Sequence, residues 1–223
     1  MTDTLSLQLD AAPSLAEGLC RVVRELGAQG WCQGTGGNFS VTLSRDPLRL
    51  LITRSGLDKR RLGAGDLLEV GPGGAAAPAA SNPESGRPSA EAALHCRIVS
   101  RTGAGAVLHV HSVADTLLGE HFAGRGGFTL SGYEMLKGLE GVASHLEEVF
   151  VPVLANSQDM ALLSGEIELL LDRRPGLHGL LLAGHGLYAW GETLEQARRH
   201  VEIFEFLFDC VARRTPFEPF CGG

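Results

Sequence analysis

Two imidazoles, two residues apart, stand in the run Ala106-Val-Leu-His-Val-His111. On a strand, residues i and i+2 share a face, so His109 and His111 point the same way from an apolar segment. Burying both is costly unless something takes up their lone pairs. A divalent cation does so. Zinc and similar ions bind imidazole nitrogen at about 2.0–2.1 Å, and catalytic sites commonly use three protein ligands and keep one position open. Backbone or carboxylate partners are the alternative for such a pair. A third imidazole, His185, lies between Gly184 and Gly186 after the apolar run Leu180-Leu-Leu-Ala183. Glycine permits positive φ and close backbone approach, which is how a sheet edge aims a side chain into a cleft. Otherwise it is an ordinary turn histidine. Glu91 and His95, four apart on one helix face, read equally as a ligand pair, a supporting contact or a surface pair. His121, His145, His178 and His200 read as structural or exposed.

Three segments suit an anion. Gly34-Thr-Gly-Gly-Asn38-Phe-Ser40 offers backbone N–H groups, a hydroxyl and an amide in one tight loop, the composition of a phosphate nest. It lacks the GK[ST] ending of a Walker loop. Thr53-Arg-Ser55-Gly56 is a second such turn, and Ser89, at the expected start of a helix, is a third. A carboxylate, Glu134, stands in Ser131-Gly-Tyr-Glu-Met-Leu-Lys-Gly138. In a partly closed site its pKa would rise toward neutrality and fit it for proton transfer. Paired with Lys137, it would be a solvated surface group.

The elements that must position these groups follow from pattern. Helices are expected from Ser14 (as N-cap) to Leu26, from Ser89 (as N-cap) to Arg101, from Val113, around Tyr133–Leu139, from Ser157 to about Leu171, and after a Thr193/Gln196 capping box. Strands are expected at Asn38–Leu43, Leu48–Thr53, Leu67–Val70, Ala106–His111, near Phe128, at Val149–Val153, Gly179–Ala183 and Leu187–Trp190. Paired strands mixed with helices imply one α/β domain over residues 1–223, with an antiparallel or mixed sheet. The Gly71–Pro83 segment, rich in Gly, Ala and Pro, reads as a mobile surface loop.

Composition closes off other classes. The 223 residues carry 19 Lys and Arg against 26 Asp and Glu, a net charge of −7; a nucleic-acid binder would show a basic excess. No apolar run approaches the ~18–20 residues of a membrane span, and the N-terminus lacks a signal-peptide pattern. The five cysteines, with no CxxC pair, read as reduced thiols of a cytoplasmic protein.

Taken in order, GTGGNFS, TRSG, PSAE with a histidine four residues on, HVHS and GHG resemble the class II aldolase/adducin family over about Leu15 to Phe208. The resemblance implies a three-layer α/β/α domain around a central, mainly antiparallel sheet, commonly in tetramers with sites near subunit interfaces. It implies His109, His111 and His185 as ligands of one Zn2+ per subunit. It implies Asn38, Ser55, Gly56 and Ser89 around the phosphate of a phosphorylated ketose, with Ala90 where aldolase-type members have a second serine. Glu91 matches the catalytic base of the aldolases. The segment GYEMLKGL and the ending GHGLYAWGETLEQA are similar to the branch that dehydrates 5-methylthioribulose 1-phosphate in methionine salvage, in which Glu134 matches the acid/base carboxylate. The implied activity is that of a metal-dependent hydro-lyase. The alternatives are an aldolase or epimerase on another ketose phosphate, and a non-enzymatic adducin-like interaction domain.

Overall fold

The computed structural model describes residues 3–77 and 86–216, with side chains from residue 14 onward. Among the described residues, five α-helices and eight strands run in the order α1 (Asp3–Ala28), β1 (Asn38–Arg45), β2 (Leu48–Thr53), β3 (Leu67–Val70), α2 (Ala92–Thr102), β4 (Ala106–Val110), α3 (Val113–Phe122), β5 (Gly127–Leu130), β6 (Val149–Leu154), α4 (Met160–Arg173), β7 (Gly179–Leu182), β8 (Gly186–Gly191) and α5 (Leu194–Arg214). The strands form one sheet in the order β3-β2-β1-β4-β8-β7-β6-β5. Only β6 and β7 pair in parallel; every other neighbouring pair is antiparallel.

Period-two alternation in the central strands builds a core on each face. Ala106, Leu108 and Val110 of β4, with Leu187 and Ala189 of β8, pack with Leu19, Val23, Phe204 and Phe208 of α1 and α5. Val107, Tyr188 and Trp190 face Leu94, Ile98, Leu163 and Ile167 of α2 and α4. The outcome is a three-layer α/β/α arrangement, as expected. Burial on both faces explains why β4 and β8 read as nearly continuous apolar runs despite antiparallel pairing.

Helix starts depart from expectation in three places. The first helix runs through Ser14 from Asp3, so Ser14 caps nothing. Asp159, not Ser157, caps α4 by accepting from the Ala161 and Leu162 amides, and Ser157 in turn accepts from the Asp159 amide. The α2 helix starts at Ala92 rather than Ser89, for a reason that belongs to the site. The Tyr133–Leu139 stretch is a 3-10 turn over Glu134–Gly138. Of the 71–83 segment, residues 71–77 fold against the body: Val70 bridges Ala76, and the Cys96 thiol donates to the Gly71 carbonyl. Residues 78–83 and Cys221 lie outside the described residues. Cys20, Cys32, Cys96 and Cys210 are free thiols. No described helix is long and apolar enough to cross a membrane.

His200 shows how α5 is anchored. Its Nδ1 donates to the Trp190 carbonyl at 2.7 Å and its Nε2 accepts from the Glu140 amide at 3.3 Å. Burial pushes its pKa down to about 4, below the ordinary 6.5. Between about pH 4 and 6.5 the ring is therefore neutral when folded and protonates on unfolding. Its contribution is complete above about pH 6.5 and is lost as the pH falls toward 4. His200→Gln should accordingly cost most near pH 7.5. Its deficit in urea unfolding should shrink by up to about 1.4 kcal/mol per pH unit below 6.5.

Candidate metal and anion site

The antiparallel pairing of β4 with β8 places the last residues of one beside the first of the other: His109 opposes Tyr188 and Val110 opposes Leu187. His111 follows β4, tied by its amide to the Trp31 carbonyl at 2.8 Å. His185 precedes β8. Folding thus joins three imidazoles across 74 residues of sequence. The Nε2 atoms of His109 and His185 lie 3.3 Å apart, and those of His111 and His109 2.7 Å.

These residues fit a metal ion. His109 Nδ1 donates to the Leu187 carbonyl at 2.9 Å, so in the neutral ring the Nε2 lone pair faces the other two histidines. His109 also stacks on Tyr188, with centroids 3.9 Å apart and planes 12° from parallel. Burial holds His109 well below the ordinary histidine range and His111 down to about 4, which keeps both rings in the ligating form. Nitrogens 2.0–2.1 Å from a tetrahedral centre are about 3.3 Å apart, the His109–His185 spacing. The three ligand atoms form a group that could hold an ion.

Two glycines make the convergence possible. Gly184 turns with φ +61°. A Cβ at Gly186 would meet the Val110 carbonyl at 2.2 Å, His111 Cδ2 at 3.0 Å and His109 Cε1 at 3.2 Å. Gly186→Ala should therefore destabilise the fold by about 1–3 kcal/mol and weaken metal retention under competition with a chelator. Unchanged retention would show that the β4–β8 approach does not set the site.

Glu91 lies on the rim, Oε1 3.5 Å from His185 Nε2 and Oε2 3.7 Å from His109 Nε2. It sits there because Asn38 holds it. The Asn38 amide donates to Glu91 Oε2, which turns Asn38 Oδ1 toward His95. His95 Nε2 therefore donates to Asn38, and His95 Nδ1 accepts from the Ser40 hydroxyl at 2.8 Å. This Ser40–His95–Asn38–Glu91 chain explains the late start of α2. Glu91 occupies the N-cap position with no capping bond, its carboxylate accepting from the Asn38 amide instead. His95 is fully buried and held down to about 3 by burial. The Glu91–His95 pair is thus a supporting arrangement through Asn38. Tyr188 also escaped sequence reasoning: an aromatic in an apolar strand gives no sign that it underlies a histidine. Burial and the neighbouring Glu91 carboxylate push its phenol well up.

The anion segments come together at the same end of the sheet. Thr53 Oγ1 accepts from the Phe39 amide at 3.2 Å, the Ser55 amide donates to the Arg87 carbonyl at 3.0 Å, and Arg54 bridges Pro88. Residues 34–38, 53–56 and 86–91 are thus laced to one another. Gly37 and Gly56 have φ +79° and +76°, and a Cβ at Gly37 would meet the His109 carbonyl at 2.6 Å. Asn38 keeps one amide hydrogen beyond the one given to Glu91. The Ser89 hydroxyl accepts from the Glu91 amide at 3.2 Å.

Glu134 is not brought to the three clustered histidines of its own chain. Its side chain is 70% exposed and pairs with Lys137 and, at 3.6 Å, with His145. The hydrogen-bonded Lys137 ammonium lowers its pKa, the reverse of the closed-site expectation.

Comparison with known proteins gives the same picture. A methylthioribulose-1-phosphate dehydratase of Sorangium cellulosum (strain So ce56) is 40% identical over 199 residues, 89% of this chain and 91% of that protein. The one from Xanthomonas campestris pv. campestris (strain 8004) is 44% identical over 197 residues, 88% of this chain and 87% of its own. Among solved structures, the L-fuculose-1-phosphate aldolase of Thermus thermophilus matches with TM-score 0.66 at 28% identity, covering 88% of this chain and 94% of that one. YgbL of Escherichia coli, a putative aldolase/epimerase/decarboxylase, matches in fold with TM-score 0.75 at 21% identity, over 93% of each chain. The family described as class II aldolase and adducin N-terminal domain matches residues 17–212. Three convergent imidazoles, a rim carboxylate and laced anion loops thus sit on that family's fold, and the chain belongs to the class II aldolase and adducin N-terminal domain family.

Proposed function

We propose that this protein is a zinc-dependent hydro-lyase of methionine salvage that converts 5-methylthioribulose 1-phosphate to 2,3-diketo-5-methylthiopentyl 1-phosphate. The observation that carries the reading is the convergence of the His109, His111 and His185 Nε2 atoms beside the laced anion loops. Relatives at 40–44% identity over nearly nine-tenths of the chain bear the dehydratase name. A zinc ion held by the three histidines supplies Lewis acidity that makes the proton next to the substrate carbonyl easier to remove.

The chain's own residues do the rest. The Gly34–Asn38 loop, Ser55, Gly56 and Ser89 hold the phosphate through amides and hydroxyls. That grip fixes C3 and C4 of the ketose against the histidine cluster. Water is lost as the proton on C3 and the hydroxyl on C4. The resulting C3 enol takes a proton at C4 and becomes the second ketone. Glu134 shuttles these protons, and a carboxylate so placed contributes about 10²–10⁴ in rate. Because Glu134 lies on the surface of its own chain, we assign its presentation to a second chain. The homotetramer we assign provides that chain, with exposed Val113, Met135 and Phe206 among the apolar side chains available for association.

One observation favours a second reading. Glu91, not Glu134, stands within 4 Å of the clustered histidines of its own chain, which suits an aldolase or epimerase using Glu91 as its base. Assaying the purified protein with 5-methylthioribulose 1-phosphate beside fuculose, rhamnulose and ribulose phosphates separates the two. Turnover confined to the methylthio sugar with release of water supports the dehydratase. Retro-aldol cleavage or epimerisation of another ketose phosphate supports the second reading.

A further inference from the structure

Lys59 begins the run Lys59-Arg-Arg61 and is only 1% exposed. Its Nζ donates to the carbonyls of Thr35 at 2.9 Å and Leu57 at 3.1 Å. It enters no ion pair among the described residues. A lysine is almost never fully buried without an anionic partner, because desolvating an uncompensated charge is costly. Both of its acceptors belong to anion segments: Thr35 lies in the Gly34–Gly37 loop, and Leu57 follows the Ser55–Gly56 turn. The nearby cation of those segments, Arg54, is engaged instead, with Asp66 at 3.9 Å and the Gly65 carbonyl at 3.3 Å.

We propose that Lys59 is a positioning residue of the phosphate subsite, clamping the two anion loops together from below and supplying the buried positive charge that a phosphate in them balances. The inference rests on the reading that these loops hold the substrate's phosphate. An ammonium behind two carbonyls does not touch the anion. It acts by fixing the loop that carries the Gly37 amide, its Gly36 amide being held by the Gln33 carbonyl at 3.0 Å, against the turn that carries Ser55 and Gly56. Its charge lies behind the same two loops. This also accounts for a buried lysine without a carboxylate: an internal partner would cancel the charge that the substrate is meant to meet.

The test measures binding of inorganic phosphate by calorimetry to the metal-loaded wild type and to Lys59→Met, Lys59→Gln and Lys59→Arg. It also measures steady-state kinetics with 5-methylthioribulose 1-phosphate and with unphosphorylated 5-methylthioribulose. Lys59→Met and Lys59→Gln should raise the phosphate dissociation constant about tenfold or more. They should raise KM for the phosphorylated ketose by a similar factor and lower kcat/KM for the unphosphorylated ketose by much less. Lys59→Arg, keeping the charge, should recover much of the phosphate affinity. Phosphate binding within twofold of wild type in both uncharged variants, absence of phosphate binding by the wild type, or equal losses on the two ketoses would each overturn the proposal. If Lys59→Met does not fold, Lys59→Gln and Lys59→Arg still compare charge at one position. A wild type that turns over neither ketose, but whose phosphate binding depends on Lys59, refutes the proposed reaction and leaves this inference standing.

Discussion

Replacing His109 with alanine should reduce bound metal from about one ion per chain to near none and turnover by at least about a thousandfold, a loss of several kcal/mol of transition-state stabilisation. The folded state should survive. His109 Nε2 is the atom common to both short spacings, 3.3 Å to His185 and 2.7 Å to His111, so its removal leaves two ligands that no longer share a neighbour. Structurally, the substitution forfeits the stack on Tyr188 and the bond to the Leu187 carbonyl, a cost of about 2–4 kcal/mol by analogy with buried large-to-small changes. The two apolar cores flanking the sheet do not depend on the ring. Circular dichroism and metal analysis of the purified variant check both halves. A variant that unfolds outright would show the metal centre to be structural, and one that keeps metal and turnover would remove the histidine cluster from the reaction.

Much of this site was legible in the sequence because the physics was local. The two-residue spacing of His109 and His111 determines their common side. The glycines around His185 announce both a positive φ, found at Gly184, and a close approach, found at Gly186. The Thr193 cap of α5 appears as expected, accepting from the Gln196 amide. What stayed hidden depended on burial or on competition between roles. Lys59 sits in a basic run whose exposure only the packed loops decide. Glu91 offers its carboxylate to Asn38 instead of to the helix it begins, so a rule about caps misplaces the start of α2. Sites are where local preferences yield to function. The environment of Glu134 was out of reach for a different reason. Glycines on either side suggested an enclosed carboxylate, but the described residues leave it exposed beside Lys137.

Glu134→Gln should lower kcat by about 10²–10⁴ with metal content unchanged, because none of the three clustered histidines of its own chain contacts it. Its own fold should be undisturbed, since the side chain is 70% exposed and its ion pairs are of the weak surface kind. If a neighbouring chain completes each site, two inactive variants are complementary. A Glu134→Gln chain retains good histidines and a His109→Ala chain retains a good Glu134. Dissociated, mixed in equal amounts and reassembled, they should recover activity to about a quarter of the wild-type level, the fraction of sites drawing both intact halves in a symmetric oligomer assembled at random. Each variant reassembled alone should stay inactive. Failure to recover, with mixed oligomers demonstrated by differently tagged chains, would confine each site to a single chain, where Glu91 is the carboxylate at the metal. Full turnover in Glu134→Gln alongside none in Glu91→Gln would go further and assign the proton transfers to Glu91, whose Asn38–His95–Ser40 support is then the machinery that orients the base.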